Sequence, residues 1–203
     1  MNFDYPQIFP LAYLVLYLVG FLIPLIVLKR RGVDVKGTMR GVTGWTPVAE
    51  VIALVSMLWV PMVILYAINA ESISWFLRFS FLDNDFVKVA GIVIAGVGLP
   101  ILLLGMVGLG ESFRIVLPRG KTELVTNGIY HYVRNPLVLS IYVFVLGIFL
   151  IIPNLLMLAA FICSIFQYEA KIREEEKFLL QMHKEAYEKY KKDTGKYFPK
   201  VKR

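Results

Sequence analysis

Apolar residues in this chain form long uninterrupted runs, and most polar residues lie in the segments between those runs. Such runs are typical of helices surrounded by lipid, because a helix needs about 20 mostly apolar residues to cross the hydrocarbon core of a bilayer. Three runs meet that length, at about residues 8–28, 48–69 and 89–109. The pattern therefore predicts three membrane-spanning helices in the first half of the chain.

A fourth apolar run covers about residues 137–168 and is longer than one crossing requires. It is interrupted at Pro153, which lacks a backbone donor and disfavours a continuing helix, and at Asn154, which suits a helix N-cap. We therefore predict two shorter helices that form a hairpin, with one long kinked helix as the alternative. The predicted fold is an all-α polytopic membrane bundle of five transmembrane helices.

The tail after Tyr168 is rich in charge but keeps a helical period from Lys171 to Lys192. Apolar residues recur there at steps of three and four, which is typical of a helix with one buried stripe. The stripe consists of Phe178, Leu179, Met182, Ala186, Tyr187 and Tyr190. We predict a cytoplasmic tail helix that lies on the membrane surface or on the connection 110–134, and a single integral membrane domain over residues 1–203.

Composition supports a membrane protein, because 58% of the 203 residues are hydrophobic and only 18% are charged. A soluble protein has roughly half and a quarter, respectively. The net charge of +7 does not indicate nucleic-acid binding, since Lys and Arg lie just outside the apolar runs and a basic groove with interleaved aromatic residues is missing. The single cysteine, Cys163, lies within an apolar run, so we predict no disulfide framework.

Basic residues are distributed unevenly among the connections, and this predicts the orientation. The connections after the first and third runs are rich in Lys and Arg, as is the tail, whereas the segment before the first run has none. The positive-inside rule then places the N-terminus outside the cell membrane and the tail in the cytoplasm. Only an odd number of spans agrees with both placements.

Two polar segments flank the hairpin and carry candidate chemistry. The connection before it ends at Arg134-Asn135-Pro136, and the amides at the N-terminus of a helix that starts with Pro favour an anionic group. The tail after the hairpin carries three consecutive glutamates at residues 174–176. These either complement the dipole of the tail helix or bind a cation. A ligand with both an ammonium and a carboxylate would bridge the two segments.

Several short motifs follow one another through these segments. They are Leu124-Val125-x-x-Gly128-Ile129-Tyr130, Arg134-Asn135-Pro136, Glu175-Glu176-x-x-Leu179, Tyr187-x-x-Tyr190 and Thr194-Gly-Lys-Tyr-Phe198-Pro199. Their order and spacing resemble the signature of the isoprenylcysteine carboxyl methyltransferase and phospholipid methyltransferase superfamily. The likeness covers about residues 121–200, and the first hundred residues share only their apolar spans.

The resemblance implies that residues 110–203 bind S-adenosyl-L-methionine at the cytoplasmic face of the membrane. Carried over by motif position, the cofactor-binding residues are Thr122, Glu123, Leu124, Val125, Gly128, Ile129, Tyr130, Asn135 and Glu175. Catalytic roles fall to Arg134, Asn135 and Glu175, and Glu175 would take the ammonium of the cofactor. Lys196 would lie toward the acceptor, and neither a metal nor a nucleic acid is implied.

Four places depart from the family pattern. His is common where this chain has Asn135, and Asn donates a hydrogen bond but cannot change its charge near neutral pH. Tyr is common in place of Val138, and Phe-Gly in place of His183-Lys184. Arg is frequent in place of Lys196, whose ammonium lacks the bidentate fork of a guanidinium. These differences bear more on acceptor recognition than on cofactor binding.

The resemblance also implies a lipid-like acceptor, either a prenylcysteine carboxylate or a phospholipid amine, with a small thiol left open. The third run is rich in glycine, which permits close helix approach and would leave room for an acyl or prenyl chain. These glycines are Gly91, Gly96, Gly98, Gly105 and Gly108. Two rival functions are a sterol-type membrane reductase that uses NADPH and a non-enzymatic scaffold or small transporter.

We predict that the connection 110–134 and the tail 169–203 are both cytoplasmic, because both are rich in Lys and Arg. A cysteine substituted for Gly120, in a variant that lacks Cys163, is expected to resist a membrane-impermeant thiol reagent applied to intact cells. It should react once the cells are permeabilised. Labelling of the intact cells would show that this orientation is wrong.

Overall fold

The computed structural model describes residues 5–33, 47–112 and 123–200, and in these ranges it consists of helices and connecting turns. The α-helices are α1 (Tyr5–Arg30), α2 (Pro47–Ser56), α3 (Trp59–Ile68), α4 (Asp85–Leu109), α5 (Pro136–Ile151) and α6 (Leu155–Asp193). Short 3₁₀ turns occur at Ala70–Phe76, Gly110–Ser112 and Gly128–His131. The predicted all-α fold class is confirmed.

Four helical segments are long and apolar enough to cross a membrane. They are Gln7–Arg30, Glu50–Ile68, Asp85–Leu109 and Leu155–Asp193, and the helix Pro136–Ile151 is apolar but shorter. Large apolar side chains on their outer faces are exposed, as at Leu54 (71%) and Val107 (80%), which suits contact with lipid. The polytopic membrane bundle is confirmed, whereas the count of five spans stays a prediction.

The second predicted span is broken into α2 and α3, where the sequence indicates one helix. Pro61 has no amide hydrogen and therefore cannot donate to the carbonyl of Met57 four residues earlier. The Met57 carbonyl instead accepts from Val60 at 3.1 Å, in a tighter turn. At the break, the Ser56 carbonyl accepts from the hydroxyl of Ser164 on α6 at 3.4 Å. A side chain of α6 therefore gives this carbonyl a hydrogen-bond partner where the helix is interrupted.

The hairpin predicted from Pro153 and Asn154 is confirmed. Helix α5 ends at Ile151, and α6 starts after Asn154, whose side-chain oxygen accepts from the Met157 amide at 2.9 Å as an N-cap. The turn is also held from outside, because the Phe79 amide donates to the Pro153 carbonyl at 2.8 Å. The connection between α3 and α4 therefore closes this end of the bundle.

Helix α6 runs from the last span into the charged tail without a break as far as a kink at Lys184, whereas the sequence predicts two separate helices. Helix α6 has 39 residues, and at about 1.5 Å per residue it is far longer than the bilayer core. It is kinked at Lys184, which has φ of +43° and ψ of −120°. The Tyr190 hydroxyl donates to the Tyr130 carbonyl at 2.7 Å. The charged half therefore packs on the connection before α5, which is one of the two predicted placements.

Glycines of α4 form a seam along which α5 approaches closely, as predicted. A Cβ at Gly91 would lie 2.7 Å from the Gly147 carbonyl, and one at Gly105 would lie 2.7 Å from the side chain of Leu137. The expectation that these glycines leave room for an acyl or prenyl chain is wrong. Helix α5 fills the space beside Gly91, Gly98 and Gly105, while Tyr13 covers Gly96 and Tyr130 covers Gly108.

We predict that Gly147→Ala destabilises the bundle by about 1–3 kcal/mol, which is typical when a methyl group is forced into a packed core. The new Cβ would lie 2.6 Å from the Gly91 carbonyl, and it would also press on the Ala95 backbone. Gly20→Ala is a matched control, because its Cβ would meet only ends of leucine side chains at 3.3 Å or more. Thermal unfolding in detergent should show a lowered Tm for Gly147→Ala and little change for the control.

We predict that Lys184→Gly stabilises the protein by about 1 kcal/mol, because the positive φ at the kink suits glycine and strains an L side chain. The resemblance described above likewise implies glycine at this position. Glu188→Gly, at an exposed site further along α6, should instead lose about 1 kcal/mol. Opposite shifts of Tm for the two variants would support this assignment, and a loss for both would contradict it.

Candidate functional site

The segment before α5 and the segment after α6 meet at one end of the bundle. The Arg134 amide donates to the Gly195 carbonyl at 2.9 Å, and the Asn135 amide donates to the Lys196 carbonyl at 3.2 Å. Glycine is required at position 195, because a Cβ there would collide with the carbonyl of Phe198. Main-chain hydrogen bonds thus join two motifs that are far apart in the sequence.

The Arg134 side chain reinforces this junction. Its guanidinium donates to the carbonyls of Lys191 at 3.1 Å and of Thr194, and to a Glu176 carboxylate oxygen at 3.0 Å. The side chain is only 8% exposed. A cation at this place also interacts favourably with the negative, C-terminal end of the α6 dipole. Arg134 therefore holds the end of α6, and its two terminal nitrogens are engaged by the protein.

Tyr130 anchors the connection to α4. Its side chain is 6% exposed, its hydroxyl donates to the Gly105 carbonyl at 3.3 Å, and its ring lies against Gly108. Burial raises the pKa of the Tyr130 phenol far above its usual range, with smaller contributions from Tyr190 and the Glu175 carboxylate. The phenol therefore stays neutral, and its predicted contact with a cofactor stays a prediction.

The three consecutive glutamates of α6 have different surroundings. Glu176 is bound to Arg134 and to a lysine near the end of α6, and its side chain is 17% exposed. Glu174 forms an ion pair at 2.8 Å with a lysine one turn further along the helix. Glu175 has the Lys171 ammonium at 3.5 Å and is 34% exposed. Glu175 is thus the one of the three with most capacity to accept a new cation.

Two grooves open beside residues 123–127. The first, of about 350 Å³, lies against the end of α4 and is lined by Gly108, Leu109, Ser112 and residues 123–127. The second, of about 710 Å³, is lined by Leu124, Thr126, His131, Tyr132, Ala186, Lys189, Tyr190, Asp193, Thr194, Pro199 and Lys200. Both volumes are in the range of small-molecule sites, roughly 300–1,000 Å³. The adjoining Gly128 has φ of +56° and open space around it, so a ligand can approach the backbone closely.

Lys196 connects this region to the last span. Its carbonyl also accepts from the Asn135 side-chain amide at 3.4 Å, and its ammonium donates to Glu169 Oε2 at 2.5 Å. The Tyr197 hydroxyl donates to the other oxygen of Glu169, and its ring lies 5.5 Å from that of Tyr142. Burial and the hydrogen bond to the carboxylate raise the pKa of Tyr197 well above its usual range.

The structure gathers the described members of the predicted site at one end of the bundle. These are Glu123, Leu124, Val125, Gly128, Ile129, Tyr130, Arg134, Asn135, Glu175 and Lys196, and Thr122 lies outside the described residues. Their roles in binding and catalysis stay predictions. Within residues 5–33, 47–112 and 123–200, His, Cys, Asp and Glu side chains form no group of three that could hold a metal.

Four residues that organise this region were not predicted as site residues. Glu176 and Tyr190 stand in the quoted motifs, but a linear motif does not tell which of two adjacent glutamates faces inward. Glu169 carried one weak signal, as an acidic residue directly after the last apolar run. Tyr197 stands in the last of the quoted motifs, but its partner is determined only by the way the chain turns back after α6.

Comparison with known proteins agrees with this arrangement. The phospholipid methyltransferase family model matches residues 86–186. A protein-S-isoprenylcysteine O-methyltransferase of Schizosaccharomyces pombe is 29% identical over 100 residues, which cover 47% of this chain and 42% of that relative. The chain therefore spans less than half the length of this curated relative.

A solved structure shows the same fold. It is the eukaryotic intramembrane Ras methyltransferase, isoprenylcysteine carboxyl methyltransferase, in a form without a monobody. The TM-score is 0.56 at 22% sequence identity, over 77% of this chain and 53% of that one. The family match and the curated relative confirm the predicted resemblance to the superfamily of the isoprenylcysteine carboxyl methyltransferases and phospholipid methyltransferases, and the solved structure shares its fold.

Proposed function

We propose that this protein transfers a methyl group from S-adenosylmethionine to a lipid-like acceptor at the cytoplasmic boundary of the cell membrane. The pairing of residues 134–135 with residues 195–196 carries the proposal, because it brings the motif before the hairpin and the motif after it together beside two grooves. The relatives support a methyl transfer, since the Schizosaccharomyces pombe protein is named an O-methyltransferase.

The site offers partners for both charged ends of S-adenosylmethionine. The Glu175 carboxylate would bind the ammonium, since its present ion pair with Lys171 is long and partly exposed. The side-chain amide of Asn135 has a similarly long hydrogen bond to the Lys196 carbonyl. Together with the N-terminus of α5, it would bind the carboxylate of the cofactor. Arg134 is a weaker candidate than the sequence indicates, because its terminal nitrogens already bind α6 and Glu176.

When bound, S-adenosylmethionine supplies a methyl group on a sulfonium, which passes to an acceptor lone pair as the sulfur–carbon bond breaks and a neutral thioether leaves. The protein needs to align the two partners and exclude water. Asn135 and Lys196 share two hydrogen bonds, and Lys196 is bound in turn to Glu169. The cofactor side and the acceptor side are therefore positioned through one residue, Lys196.

The acceptor would be amphipathic, because the site lies where α6 leaves the apolar span. Its polar end would reach Lys196 at headgroup depth. Its apolar chain would lie on the lipid-facing surface of the bundle, since α5 and two tyrosines fill the glycine seam of α4. Both a prenylcysteine carboxylate and a phospholipid amine fit this description.

We predict that Glu175→Gln weakens S-adenosylmethionine binding about ten- to a hundredfold. The reason is the loss of a charge-assisted hydrogen bond, worth about 1.5–3 kcal/mol. Calorimetric titration of the purified protein in detergent would measure the change. Glu188→Gln, on an exposed part of the same helix, is the control and should leave the Kd unchanged.

An unchanged Kd for Glu175→Gln would remove this residue from the site. Failure of the unaltered protein to bind S-adenosylmethionine would overturn the proposed function itself. Binding of NADPH in its place would favour the membrane reductase.

A further inference from the structure

A cluster of tyrosines surrounds a carboxylate beside the candidate site. Tyr142 on α5 and Tyr168 on α6 have ring centroids 6.2 Å apart, and Tyr142 lies 5.5 Å from Tyr197 of the tail. Glu169 follows Tyr168 directly and accepts the hydrogen bond from the Tyr197 hydroxyl. We call Tyr142, Tyr168, Glu169 and Tyr197 the tyrosine–glutamate cluster.

The cluster already holds a cation, which belongs to the chain itself. The Lys196 ammonium lies 2.5 Å from Glu169 Oε2 and 5.3 Å from the centroid of the Tyr197 ring. A carboxylate next to an aromatic face is a combination that attracts ammonium groups by charge and by the ring quadrupole. The Lys196 side chain is 31% exposed, so it can move aside without opening a core.

The position of the cluster relates it to the acceptor. Tyr142 lies six residues after Pro136, or about 9 Å along α5. The Tyr142 hydroxyl donates to the Ile165 carbonyl at 3.3 Å, which fixes the ring between α5 and α6. Glu169 is 30% exposed at the end of the last apolar run. The cluster thus lies between α5 and α6, is accessible to a ligand, and stands at the end of the last apolar run.

The charges of the cluster decide which acceptor fits. An acceptor carboxylate would need the charge of Lys196, which Glu169 already neutralises, and would itself be repelled by Glu169. An acceptor ammonium would only replace the Lys196 ammonium at Glu169, and the bond from Tyr197 would be kept. Arg173 is a second cation that acts on Glu169, so the carboxylate stays ionised when Lys196 moves aside, and an ammonium in the place of Lys196 leaves the charges of the cluster unchanged. The cluster therefore suits a cationic acceptor.

We propose that the tyrosine–glutamate cluster binds the ammonium group of a lipid amine, and that Lys196 fills this site when no lipid amine is bound. The inference rests on the proposed function, because the bound nitrogen would be the methyl acceptor. Glu169 is also placed to take the proton that the ammonium must lose to expose its lone pair. Glu169 and Tyr197 would therefore determine which acceptor the protein selects.

The first test measures binding without S-adenosylmethionine. Lysophosphatidylethanolamine and lysophosphatidylglycerol of the same acyl chain are titrated into the protein in a maltoside detergent, since the two lipids differ in the ammonium. The unaltered protein should prefer the amine lipid about tenfold or more, as expected for a charge-assisted bond. Glu169→Gln should abolish this preference, while the control Glu188→Gln should keep it.

A second test uses the internal cation. Lys196→Met removes the competing ammonium, so it should lower the Kd for the amine lipid several-fold. If Lys196 instead binds an acceptor carboxylate, the same variant should leave amine binding unchanged and weaken the binding of a farnesylated cysteine. Tyr197→Phe keeps the ring and should reduce the amine preference less than Glu169→Gln does.

Equal affinity of the unaltered protein for the two lipids would overturn the inference, and so would tighter binding of the farnesylated cysteine. Gel filtration identifies a variant that fails to fold, and Lys196→Met and Tyr197→Phe then decide the matter without Glu169→Gln. These outcomes are independent of the S-adenosylmethionine titration. Failure of the inference and failure of the proposed function can therefore be distinguished.

Discussion

One buried guanidinium holds the two halves of the site together. Helix α6 continues beyond the apolar span, so the chain after it must be returned to the start of α5. Arg134 does this by binding the last carbonyls of α6 and the Glu176 carboxylate with a side chain that is 8% exposed. Removal of one partner would leave the other charge largely buried and unpaired, which is strongly destabilising. The placement of Asn135 and Lys196 depends on this clamp.

The clamp in turn rests on helices that pack without large side chains between them. Lipid offers no hydrophobic force that drives helices together, so close backbone approach and interhelical hydrogen bonds hold them. Gly91 and Gly147 provide the close approach, and Tyr17 and Ser140 form a buried hydrogen bond of 2.9 Å between α1 and α5. A filled seam leaves the end of the bundle as the place where ligand grooves occur.

Much of this architecture was predictable because its signals are local. Apolar runs marked the spans, Pro153 and Asn154 marked the hairpin turn, and the motifs marked both segments that form the site. The errors arose where a distant partner decides the outcome. Nothing local to the third run showed that α5 would fill its glycine seam, and the charged tail gave no sign that it continues the last span as far as Lys184.

The sequence by itself determined that the helices lie in lipid, that the fold is all-α, and which residue types are available for chemistry. Hydropathy and motif order are properties of the linear chain, so no tertiary contact was needed for these conclusions. Only the tertiary structure decided the partner of each charge. Adjacent residues on a helix point about 100° apart, so Glu176 meets Arg134 while Glu175 stays accessible. Lys196 meets Glu169 only because the chain turns back after α6. Ion pairs are made by proximity in space, which a linear pattern does not contain.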